Sequence, residues 1–228
     1  MTFEAEDPAN LAGFWGRLLG RVTDAENLLP GTDGQLSLRF AARTRAPGDG
    51  LNRMHLHLSN ADQQETVERA LGLGARHLDV GQRPEEGHIV LADPEGNEFC
   101  VIEAGNNFLA NTAFLGELAS DGTQAVGYFW SKALDWPLVW DQDEETAIQA
   151  PAGGPKIAWG GPPVSPKAPK NRMHFDLVVP ADSDVDAEVE RLVALGATRL
   201  ESGQDGPDAI PMADPDGNEF CILTTPRR

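Results

Sequence analysis

The sequence predicts an α+β protein built from two tandem copies of one domain, each copy a pair of βαβββ units. One observation is a duplication. NRMHLHL at 52–58 returns as NRMHFDL at 171–177, and ADPEGNEFC at 92–100 returns as ADPDGNEFC at 213–221 with eight of nine positions identical. A second is helical periodicity ahead of and between those blocks, and a third is a turn motif that folds the end of each copy into a hairpin. The offset between equivalents drifts from 115 residues (Trp15 to Trp130) to 122 (Arg69 to Arg191), as duplicates separated by small insertions do. So long a period rules out a solenoid repeat and makes each copy a domain in itself.

Taken along the chain, Leu11, Phe14, Trp15, Leu18 and Leu19 fall at helical spacing, and the segment from Asp121 repeats them with Phe129 and Trp130. TVERALGLGA at 66–75 and AEVERLVALGA at 187–197 form the second helix of each copy, stopped by Gly74 and Gly196. The short apolar runs His55–Leu58, His88–Ala92 and Phe99–Glu103 suit strands. In Asp-Pro-x-Gly-Asn a proline presets φ and two residues that tolerate positive φ follow it, so 88–103 and 209–224 read as hairpins. The small, Asn-rich stretch Gly105–Ala113 separates a domain at 1–105 from one at 113–228.

A chain of 228 residues is long enough for two such cores. Its 18 basic against 36 acidic residues give a net charge of -18, which repels nucleic acid and anionic membrane surfaces. No apolar run approaches a membrane span, and the first residues lack a signal-peptide pattern. Two cysteines, Cys100 and Cys221, each in an apolar strand, argue against a disulfide framework, so a cytoplasmic location is expected. Phosphate-binding loops, serine-hydrolase elbows and common zinc signatures are missing from the sequence.

The paired βαβββ units, the Phe-Trp helix, the strand opening on His55 or His174 and the closing D-P-x-G-N hairpin together resemble the glyoxalase/bleomycin-resistance/dioxygenase superfamily, also called vicinal oxygen chelate (VOC), in its glyoxalase-like subgroup. The resemblance covers nearly the whole chain, twice. It implies tandem VOC domains, each curling a mixed sheet around a cavity that binds or transforms a small molecule, in many members with a divalent metal. The implied ligands are a histidine or glutamine on the first strand of each unit and a glutamate on the closing strand. His55 and His174 match the histidine, but Cys100 and Cys221 stand at the glutamate position. The remaining ligand falls before residue 1 in the first copy and near Phe114 in the second.

With two of three implied ligands missing, no cofactor is the favoured expectation, and methylglyoxal detoxification is disfavoured. If a divalent metal (Zn, Fe, Mn or Ni) is present, strand alternation offers His55, His57 and Cys100 in one copy and His174, Asp176 and Cys221 in the other. Each cysteine could equally serve as a small buried hydrophobe. His55 and His174 are also the candidate catalytic residues, as general bases, against a purely structural role in strand register. Trp15 and Trp130 read as core; Trp140 and Trp159, on strand-like runs, are candidates for ligand stacking beside His57, Asp176, Cys100 and Cys221.

Three functions remain open. The leading expectation is a bleomycin-resistance-like binding protein that sequesters a drug or metabolite, aromatic or cationic. The second is a VOC-type lyase, isomerase or oxygenase working through a rewired metal site or through His55 and His174; the third is a structural module without a ligand. A small molecule is the expected partner, and the chain is expected to be a pseudo-twofold monomer or a homodimer.

Overall fold

The computed structural model describes residues 1–32, 34–43, 50–83, 85–167, 170–180, 183–201 and 209–224. The first unit contains β1 (Thr2–Ala5), α1 (Pro8–Leu19), β2 (Leu28–Leu29) and β3 (Leu38–Ala42); the second contains β4 (Met54–Ser59), α2 (Gln63–Gly72), β5 (Arg76–His77), β6 (Ile89–Ala92) and β7 (Glu98–Ile102). The third runs through β8 (Leu115–Ser120), α3 (Gln124–Leu134), β9 (Leu138–Gln142), β10 (Glu145–Gln149) and β11 (Lys156–Trp159). The fourth runs through β12 (Met173–Val178), α4 (Val185–Leu195), β13 (Thr198–Arg199), β14 (Ala209–Ala213) and β15 (Glu219–Leu223). Three units have the expected βαβββ order. Among the described residues the first is one strand short: β2 pairs with β3 as β10 does with β11, and the segment before it, where the duplicate builds β9, is folded into a turn by Asp24, whose Oδ1 accepts from the backbone N–H of Glu26 and Leu28.

The strands form two mixed sheets, in the orders β13-β14-β15-β12-β1-β3-β2 and β5-β6-β7-β4-β8-β11-β10-β9. Each sheet therefore joins one unit from each copy, the first with the fourth and the second with the third. The boundary at 105–113 falls between units of one sheet, not between two sheets. Antiparallel β4–β8 is the longer seam, setting Met54 opposite Ser120, His55 opposite Ala119 and His57 opposite Glu117. The β1–β12 seam pairs Thr2 with His174 and Phe3 with Met173.

Within each copy the units stay bound through their aromatic core. Trp15 on α1 meets the Phe99 ring edge-on at 5.1 Å, and Trp130 on α3 meets Phe220 at the same distance. Both tryptophans are buried, as the helical spacing predicts. Each indole N–H reaches the aspartate that opens the hairpin motif, Trp15 Nε1 to Asp93 Oδ2 and Trp130 Nε1 to Asp214 Oδ2, both at 3.2 Å. Asp93 also accepts from the backbone N–H of Glu95 and Asn97 and from the Asn97 amide. The buried carboxylate thus sets the turn and ties it to the preceding unit's helix; burial raises its pKa and these donors oppose the rise. Gly96 and Gly217 sit at φ 87° and 81°, which side-chain-bearing residues avoid.

Removing either aspartate strands a buried indole N–H and two turn amides. Asp93→Ala and Asp214→Ala are each expected to lower unfolding free energy by about 2–4 kcal/mol, read from urea midpoints, with a smaller loss for the asparagine variants.

Candidate active site

On β4, Met54, Leu56 and Leu58 enter the core while His55 and His57 face the concave side. Parallel β7 puts Cys100 beside His57, again on that side, and β8 brings Glu117 across the seam. One ligand atom from each of His55, His57 and Cys100 lies within 4.8 Å of the others. His57 Nε2 is 2.9 Å from His55 Nε2, and its Nδ1 is 2.7 Å from Glu117 Oε2.

These contacts polarise the two imidazoles in opposite directions. Burial, then repulsion from His57 and His88, pushes His55 down to about 3. At His57 burial also acts downward, but hydrogen bonds and charge from Cys100 and Glu117 outweigh it and raise the ring to about 10. A doubly protonated His57 donates through Nδ1 to Glu117 and through Nε2 to a neutral His55. The result is a connected Glu117–His57–His55 chain with the thiol alongside.

The chain lines a cavity of about 870 Å³. Phe108, from the connection between copies, and Trp140 meet edge-on at 5.8 Å and wall one side, with Asp121 and Glu145 adding acidity. Trp140 Nε1 is buried without a hydrogen-bond partner, a donor available to a bound molecule. Lys156 Nζ lies 4.4 Å over the Phe108 ring. Arg53, buried at the rim, is engaged by the carbonyls of Asp216 and Ser165 and the amide of Asn218.

The structure corrects several sequence expectations. Trp159 borders the cavity, yet its side chain is only 1% exposed and belongs to the core, because alternation along β11 turns Ile157 and Trp159 inward and Ala158 toward the cavity. The ligand expected near Phe114 is not found there: Phe114 packs on the core, under Arg69, and the acidic residue that this strand brings to the site, Glu117, holds His57 from behind. His88, ahead of β6, is half-buried and close enough to His55 to affect its ionisation.

In the seven-stranded sheet the equivalent group is His174, Asp176 and Cys221, again with ligand atoms within 4.8 Å. Here His174 and Cys221 are buried, and the adjoining cavity of about 460 Å³ is lined by Asp176 but by neither of them. Thr2 Oγ1 donates to Asp176 Oδ2 at 2.5 Å. Burial would raise the Asp176 carboxyl, but His174 and Thr2 hold it at about 2.

Two sheets of paired βαβββ units, each with a His-containing donor group on its concave side, define a tandem VOC architecture. The chain belongs to the glyoxalase-like domain family, whose profile matches residues 1–102 and 117–223. Glyoxalase I from Zea mays superposes with a TM-score of 0.67 at 15% identity, covering 97% of this chain and 90% of that one. A putative dioxygenase from Bacillus subtilis gives 0.59 at 14% identity, covering 99% and 84%. At these identities the likeness shows the fold alone. No curated protein matches the sequence.

The donors fit a divalent metal: two imidazoles and a thiolate suit zinc or a similar ion, and Glu117 on the far nitrogen of His57 is the carboxylate that orients a metal-bound histidine. In metal-free protein the pair should behave as the ionisation pattern states. The folded His57 pKa lies above its ordinary 6.5, so its stabilisation is complete below about pH 6.5 and fades as pH rises through about 10. Glu117→Gln should therefore cost chelator-treated protein about 1–3 kcal/mol near pH 6 and distinctly less near pH 10, measured by denaturant unfolding at both values.

Proposed function

We propose that the protein is a VOC-type enzyme of the lyase or isomerase kind, acting on a small molecule in the cavity of the eight-stranded sheet. The observation that carries this reading is the convergence of His55 and His57 at an open cavity, with buried Cys100 beside them and Glu117 fixing His57 from behind. A divalent metal held by His55, His57 and Cys100 would polarise a substrate oxygen. The chain's own residues would bind and orient: Trp140 and Phe108 provide aromatic faces, the Trp140 N–H offers a donor, and Asp121 and Glu145 select against anions at the mouth. With the Nε2 atoms of both rings on the metal, His57 would keep its Nδ1–H donated to Glu117, which would orient the ring and steady its charge.

A second reading is sequestration without turnover of an aromatic or cationic drug or metabolite, favoured by the same aromatic wall and acidic rim. An open cavity of this size is poor support for a purely structural module. A cytoplasmic location goes with this reading; Cys100 and Cys221 form no disulfide with each other, and among the described residues no helix is long and apolar enough to cross a membrane. Since one chain completes both seams, a monomer is expected, and light scattering after size exclusion should return the mass of a single chain.

Metal content measured by plasma mass spectrometry separates the two functional readings. The enzyme reading expects bound metal that falls in a His55→Ala, Cys100→Ser variant, together with turnover of small carbonyl or enolisable substrates that falls in parallel. Binding that quenches tryptophan fluorescence in metal-free protein, is lost in Trp140→Ala and is accompanied by no turnover would favour sequestration.

A further inference from the structure

We propose that the seven-stranded sheet holds a second divalent metal ion, zinc or one of similar affinity for thiolate, on His174, Asp176 and Cys221, in a closed site that serves structure and admits no substrate.

Asp176 on β12 is the register neighbour of Cys221 on β15, and His174 lies two residues upstream on the same side of the strand. The local fold therefore presents one nitrogen, one oxygen and one sulfur donor to a common point. All three groups are withdrawn from solvent: His174 is 5% exposed, Cys221 4% and the Asp176 side chain 10%. Asp176 Oδ1 is buried and takes no well-aligned hydrogen bond, although it faces His174 Nε2 at 3.5 Å. A buried carboxylate oxygen without such a bond is costly. Two ligands on a tetrahedral zinc, with bonds of about 2.0–2.1 Å, stand roughly 3.3 Å apart, so the observed gap already matches a shared cation.

The surroundings support this assignment. Thr2, from the opposite copy, donates to Asp176 Oδ2 and so fixes the carboxylate with Oδ1 turned toward His174. A carboxylate and a thiolate together offset a divalent charge, removing the penalty of two buried anions. The eight-stranded sheet differs in the same terms: there the two facing nitrogens are 2.9 Å apart and already share a proton. There the two histidines line a cavity of about 870 Å³, whereas here Asp176 alone of the three borders the adjoining cavities, of about 460 and 740 Å³, and His174 and Cys221 line neither. Histidine opposite Asp176 in the repeat thus marks a division of labour, one site open and one closed.

Cobalt(II) added to full-length, metal-free Cys100→Ser protein tests the proposal, since Cys221 is then the only thiol and the open site has lost its sulfur. The expected result is a near-ultraviolet thiolate-to-cobalt charge-transfer band that saturates at one equivalent, with a rise in melting temperature. The band should disappear when Asp176→Asn, which keeps an acceptor for Thr2, or His174→Ala is added. No band in protein shown by circular dichroism to be folded would overturn the proposal, as would a band that survives both added substitutions. The open-site reading is tested separately, because Cys100→Ser disables that site in every sample.

Discussion

The antiparallel pairing of β4 with β8 is the constraint on which the site depends. It is where the second and third units become one sheet, and its register decides that Glu117 is the residue of β8 that faces His57. A slip of one residue would turn Glu117 into the core and bring Leu118 or Gly116 to the imidazole. The same seam builds the cavity, since Trp140 and Ala158 belong to the third unit while His55 and His57 belong to the second. Copying the domain supplied the parts; exchanging units between sheets assembled them.

Two kinds of contact hold this exchanged arrangement. Along the sheets, backbone ladders cross from one copy to the other. Between helix and hairpin, Trp15 with Asp93 and Trp130 with Asp214 keep the two units of each copy together. Arg53 adds a third tie, running from the start of β4 to the hairpin of the second copy and to the carbonyl of Ser165. The duplicated motifs are therefore structural first: the aspartate of D-P-x-G-N spends its hydrogen bonds on the turn and on an indole, and the asparagine accepts from the Asn52 or Asn171 amide ahead of the neighbouring strand, leaving the site to the strands that follow.

Much of this is legible in the sequence because it is periodic or repeated. Helices α1 to α4 follow the spacing of Leu11, Phe14, Trp15 and Leu18 and their counterparts, and the hairpins follow from proline and glycine at fixed offsets. The two donor groups follow from alternation along 55–57 and 174–176 with a cysteine after each hairpin. Glu117 was not legible, since strand register between distant segments is set by packing that no local pattern encodes; counting back from Asp121 misplaces it by three residues. Trp159 was misread for a related reason: KIAW alternates, but nothing within four residues tells which phase faces the core. The strand that the first unit lacks among the described residues reflects local chemistry, with Asp24 accepting from the backbone of Glu26 and Leu28 and so making a turn where the duplicate builds β9.

Cross-linking in solution tests the central pairing most directly. In protein whose native cysteines are replaced by serine, His57→Cys with Glu117→Cys should give an intrachain disulfide on mild oxidation, seen by mass spectrometry of the digested chain. Directly opposed residues of an antiparallel pair hold their Cβ atoms about 4.5–5.5 Å apart, close enough to bridge with slight adjustment. The His57→Cys, Thr2→Cys protein should give none. A bridge between 57 and 2 in place of 57 and 117 would mean that each copy closes its own sheet, and would contradict the account of the site.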